Sequence, residues 1–96
     1  MSPKNKIKLH SLRKKLDIID SQLLNIIKKR TEIIKKVISL KVYKREIIDK
    51  KRISTILKKI KIESIKKKID PKITNRIWKN MIWSYIDFEK RNFKKK

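Results

Sequence analysis

The stretch "LRKKLDIIDSQLLNIIKKR", residues 12–30, decides how this chain folds. Extended at both ends, it carries one apolar line: Leu9, Leu12, Leu16, Ile19, Leu23, Ile26, then Arg30, then Ile33, Val37 and Leu40. The steps alternate between three and four residues, the repeat of one helical face and not of a strand. A helix over about Lys8 to Val42 follows, roughly 50 Å long at the usual rise per residue. It overhangs any core that so short a chain can build, so it is expected to pair with a second copy. The anomaly is Arg30. A guanidinium in a line of Leu, Ile and Val is costly to bury unless it snorkels to water or an anion meets it.

Outward from that helix, the composition narrows the choices. The 96 residues make one small domain, expected to be structured over about 8–91. Glycine and cysteine are both absent, and a single histidine, His10, is present. Glycine-dependent phosphate loops, disulfide frameworks and thiolate or histidine metal sites are therefore not expected. An all-α chain is the natural way to do without glycine. No apolar run reaches the roughly 18 residues of a membrane span, and no signal-peptide core opens the chain. A cytoplasmic protein with no membrane partner is expected.

The net charge of +22 invites a nucleic-acid reading. Most of the 31 basic residues are lysines, however, and isoleucine is also in excess, as codon bias in an AT-rich genome produces. The lysines therefore read as solvated faces, and no nucleic-acid partner is expected. Such a bias makes arginine scarce, so the placing of each arginine is informative.

Two shorter helices complete the expectation. "YKREIID" (43–49) reads as a loop, with Asp49 capping a helix over Lys50–Lys67 that turns Ile53, Ile56, Leu57 and Ile60 inward. Its end, "IKIESIKKK", is polar, poorly periodic and expected to fray. "DPK" starts the last helix cleanly, with Asp70 as cap and Pro71 in the first helical position. This helix runs to about Phe93. Ile73, Ile77, Met81 and Tyr85 form one line along it, and Trp78, Ile82, Tyr85 and Glu89 form another. The basic tail "KRNFKKK" is expected to fray.

Arg30 and Lys41 are eleven residues apart, about three turns, and share a helix face at a separation of roughly 16 Å. Arg13 is about 25 Å before Arg30 and about 100° round the helix, so it reaches the same ligand only from a second copy. Glu89 repeats the anomaly on the last helix, a carboxylate in line with Trp78 and Ile82. Each of these residues alone reads more readily as a surface group that snorkels or pairs with a nearby acid or base. Together they suggest an anion-binding pocket between helices.

The order "LRKKLDIID", then Arg30, Lys41, "DKKR" and "IDP…IWKNMIWSYIDFE", resembles the all-helical chorismate mutases (the AroQ class) over nearly the whole chain. The resemblance implies an intertwined homodimer of three-helix chains with chorismate as substrate. It places Arg13 in the partner subunit's site, Arg30 on a substrate carboxylate and Lys41 beside the ether oxygen. Asp49 and Arg52 fall around the ring. Glu89 stands where bacterial members often carry glutamine and some fungal ones glutamate, and Tyr85 where some members carry a small hydroxyl residue. The catalytic groups so implied are Arg30, Lys41 and Glu89.

The chemistry is consistent with these roles. Rearranging chorismate to prephenate is pericyclic, so neither a cofactor nor a metal is expected. The protein has to hold a dicarboxylate in its compact conformer and stabilise charge as the C–O bond lengthens. Arginine forks grip carboxylates, a lysine ammonium suits the ether oxygen, and the surplus positive charge steers a dianion inward.

Two departures from the family stand out. Ile53 replaces a glutamate that accepts the ring hydroxyl of chorismate. An apolar residue there is reminiscent of the isochorismate–pyruvate lyases, which share the fold and form salicylate. Glu89, beside an ether oxygen, helps only if it carries a proton. No regulatory segment is read in the chain, so feedback control by aromatic amino acids within it is not expected.

Overall fold

The computed structural model describes residues 1–94; Lys95 and Lys96, the end of the tail expected to fray, lie outside the described residues. The fold is all-α. Helix α1 (Pro3–Leu40) is followed by a 3-10 turn (Lys44–Ile47), α2 (Lys50–Lys66) and α3 (Pro71–Asn92), with no strand among the described residues. Internal contacts group residues 1–33 and the residues from Ile34 onward into two compact units.

In residues 1–33 the helix starts earlier than the expected Lys8. Ser2 is the cap: its Oγ accepts from the Asn5 N–H at 3.2 Å, and its carbonyl accepts from Lys6 at 2.9 Å. Pro3 fills the first helical position, where a missing N–H costs nothing. The same Ser/Asp-Pro signal recognised at Asp70–Pro71 was present at Ser2–Pro3, ahead of the apolar line. Leu12, Leu16, Ile19, Leu23 and Ile26 are all exposed, and α1 has no buried residue.

From Ile34 onward, the last turns of α1 cover residues that lie off the apolar line. Ile34 and Ile38 are half-buried, whereas Val37 and Leu40, which continue the apolar line, are exposed. The apolar line, expected to pair with a second copy, is exposed here. The loop expected at 43–49 contains the 3-10 turn, and this turn holds Ile47, the most buried residue at 3 % exposure. Ile47, Ile82 and Ile86 form the core, with Ile48, Ile53, Ile56, Leu57 and Phe93 packed against it. Each fully buried isoleucine contributes at most about 1.5–3 kcal/mol.

Both expected caps are present. Asp49 Oδ1 accepts from the Arg52 N–H at 2.9 Å, and Asp70 Oδ1 accepts from the Lys72 N–H at 2.9 Å. The end of α2 is ordered rather than frayed. Ile69 N–H donates to the Ser64 carbonyl at 2.9 Å and Lys68 N–H to the Ile65 carbonyl at 3.1 Å, the paired bonds of a Schellman ending. Lys68 takes the left-handed position, φ 58°, which glycine usually fills and which this glycine-free chain gives to lysine.

The segment that read as poorly periodic also supplies a buried polar contact. Ser64 and Thr74 share a hydrogen bond of 2.7 Å, and the Ser64 hydroxyl also bonds the Ile60 carbonyl at 2.6 Å. This joins the end of α2 to the start of α3, while Ile53, at the start of α2, packs with Ile82 and Ile86 late in α3. The two helices are therefore antiparallel. On α3, Trp78, Ile82, Tyr85 and Glu89 form the covered line, whereas Ile73 and Ile77 are exposed. Phe93 packs against the core, so the tail is anchored that far and does not fray from Lys90. Among the described residues, no helix is long and apolar enough to cross a membrane.

Candidate active site

Lys41 is the first residue beyond α1, not a member of it. Its N–H donates to the Ile38 carbonyl at 3.2 Å, a tightened last bond, and the chain then turns away. The side chain is 18 % exposed and ends 3.0 Å from Glu89 Oε1, whose own side chain is 7 % exposed. Glu89 is held there by the covered line of α3, one turn after the half-buried Tyr85 and beside the buried Ile86. An ammonium and a carboxylate so withdrawn from water interact far more strongly than a surface pair, because little solvent screens them. Together they offer a cation and a carboxyl group to a ligand atom that inserts between them.

Next to this pair, Lys41, Glu46, Ile48, Asp49 and Lys50 line a cleft. Asp49 reaches it from the cap of α2, where one carboxylate oxygen is committed to the Arg52 N–H and the other is not used by the cap. Arg52 lies exposed on the first turn of α2. Ile53, the departure from the family pattern, is half-buried and belongs to the isoleucine cluster around Ile47. The structure therefore brings Lys41 and Glu89 into direct contact and sets Asp49 beside Lys41.

Arg13 and Arg30 belong to residues 1–33. Arg13 is exposed on α1, and Arg30 is half-buried while Ile26 and Ile33 of the same line are exposed. The residue that was anomalous in sequence is thus also more covered than its apolar neighbours.

Two features, one at this site and one at the far end of the α2–α3 pair, were not read from the sequence. One is Glu46, whose Oε1 accepts from the Val42 N–H at 3.2 Å and the Tyr43 N–H at 2.8 Å. Its spacing from the cap is that of a capping box, but the cap is Tyr43 rather than serine or threonine, so the pattern carries no signal. The other is the Ser64–Thr74 pair, which no local spacing announces.

The model of the family "Chorismate mutase type II" matches residues 12–90. The chain belongs to that family. The match runs from the start of the opening stretch to one residue beyond Glu89, so every candidate site residue, from Arg13 to Glu89, falls within it. No curated protein and no solved structure matches the chain. Membership of this family supports a chorismate-mutase-type function in general.

Proposed function

We propose that this chain rearranges chorismate to prephenate, serving phenylalanine and tyrosine synthesis. The observation that carries the reading is the Lys41–Glu89 contact of 3.0 Å between two largely covered side chains beside a cleft. In the proposed mechanism Arg30 grips one substrate carboxylate and Arg13 of a second copy grips the other. Asp49, Arg52 and Tyr85 surround the ring. Held this way, the substrate loses little further entropy on reaching the transition state. Lys41 donates to the ether oxygen as charge develops on it. Glu89 gives up its pair with Lys41 and, as a neutral carboxyl group, donates to the same oxygen. An ionised Glu89 would repel the developing charge.

The composite site requires a homodimer. The exposed apolar line on α1 supports one, since a contiguous apolar face of this length marks an interaction surface. The cell compartment proposed is the cytoplasm.

Ile53 supports a second reading, isochorismate–pyruvate lyase activity. Its side chain is taken up by the apolar cluster and has no acceptor for chorismate's ring hydroxyl. We place the mutase first because Asp49, at the same cleft, can accept that hydroxyl. The deciding experiment gives the purified protein chorismate and isochorismate separately. Prephenate from chorismate, abolished by Arg30→Ala, is expected. Salicylate and pyruvate from isochorismate with little prephenate would reverse the order of the two readings, and turnover of neither would reject both.

A further inference from the structure

Lys41 lies outside α1, so the helix does not aim it. The residues after it have lost their helical acceptors, and both of the next two N–H groups turn to a single oxygen, Glu46 Oε1, at 3.2 Å from Val42 and 2.8 Å from Tyr43. The Val42 N–H shares its rigid peptide plane with the Lys41 carbonyl. Holding that N–H therefore fixes how the backbone leaves Lys41. Glu46 is itself held: its N–H donates to the Tyr43 carbonyl at 3.0 Å, and the Arg45 guanidinium stacks 4.3 Å over the Tyr43 ring. Ile47, the next residue, is buried in the core with Ile82 and Ile86 of α3.

Lys41 is thus tied to α3 at both ends. Its ammonium is tied through Glu89, and its peptide through Glu46 and Ile47. A substrate oxygen inserted at the ammonium breaks the first tie and leaves the second. We propose that Glu46 is a positioning residue that keeps Lys41 aimed into the cleft once substrate has displaced Glu89 from it. The proposal rests on reading Lys41 as the residue at the ether oxygen. Its physical basis is that one side-chain oxygen accepts from both N–H groups, and small displacements of a catalytic group are costly in rate.

The test compares Glu46→Gln, Glu46→Asp and Glu46→Ala in the full chain, alone and with Lys41→Met. Glutamine keeps an acceptor oxygen at the same reach, whereas aspartate keeps the charge and is one methylene too short. Expected is a loss in kcat of about tenfold for Ala and Asp, with KM moving less, and recovery of most of it by Gln. In the Lys41→Met background the same Ala change should cost less than about twofold, because positioning an absent ammonium has no value. Wild-type kcat in Glu46→Ala, loss with Gln but not Asp, or an equal loss in both backgrounds would overturn the proposal.

Amide exchange at Val42 and Tyr43 provides a readout free of catalysis. Slow exchange in wild type and Gln, with fast exchange in Ala and Asp, is expected. Equal exchange in all four would overturn the clamp. A wild-type protein that turns over neither substrate rejects the proposed function instead, and the exchange rates still report on the clamp.

Discussion

Leu23→Asp should separate the proposed dimer into monomers. Leu23 lies close to the middle of α1 on the outward apolar line, so any two-fold pairing that uses the whole line brings it to the centre of contact. It is 49 % exposed in the single chain. Covering the remaining half of a leucine is worth about 1 kcal/mol. An aspartate there forfeits that and adds an unpaired carboxylate taken from water, at least about 2 kcal/mol more. A two-fold interface counts every substitution twice, so the dimer weakens by about 6 kcal/mol, or roughly 10⁴-fold in Kd. Sedimentation velocity from about 1 to 100 µM measures this directly, and thermal unfolding over the same range gives a second reading, because the Tm of a dimer rises with concentration. Wild type should sediment as a dimer, Leu23→Asp as a monomer, and Lys14→Asp, on the polar side of the same helix, as wild type. Activity should disappear with the dimer, since Arg13 would no longer reach a second site. A wild-type monomer throughout that range, or a Leu23→Asp dimer, would refute the reasoning.

Lys41→Met preserves the shape of the side chain and removes the donor to the ether oxygen; kcat should fall by about 10²–10³-fold, measured by prephenate formation. Glu89→Gln keeps a hydrogen-bond donor at the same reach without needing a carboxyl proton, so its rate of prephenate formation at neutral pH should at least equal that of wild type. A rate well below wild type in Glu89→Gln would remove the carboxyl donor from the mechanism. Lys68→Gly should stabilise the fold by about 1 kcal/mol, raising Tm by roughly 4–8 °C in calorimetry, since it relieves a left-handed lysine at the end of α2. An unchanged or lower Tm would mean that the lysine side chain contributes more than its backbone conformation costs.

Much of this protein was legible from local chemistry. The alternating steps from Leu9 to Leu40 require a long helix because only a helix returns those positions to one face. Asp49 and Asp70 announce the starts of α2 and α3 because a carboxylate before a run of helix formers satisfies the free N–H groups of the first turn. The order of Arg13, Arg30, Lys41, Asp49, Arg52 and Glu89 carries the family, since no packing requirement alone puts Arg30 and Glu89 on apolar lines and spaces the other four around them in that way.

The structure decided what depends on neighbours distant in sequence. Periodicity identifies an apolar face but not which surface covers it, so Val37 and Leu40 are turned to solvent while Ile34 and Ile38 are the half-buried residues. Ser64 and Thr74 are ordinary polar residues until α2 and α3 fold back and bury their hydroxyls against each other. Lys68 adopts a glycine's conformation because the bonds from Ile69 to Ser64 and from Lys68 to Ile65 offset the steric cost. Spacing placed Lys41 on α1, whereas the helix ends one residue before it and a glutamate five residues on sets its direction. Local sequence determines which backbone conformations are cheap and which faces are apolar. Only the folded chain determines which faces meet, because burial is a property of a pair of surfaces and not of either one alone.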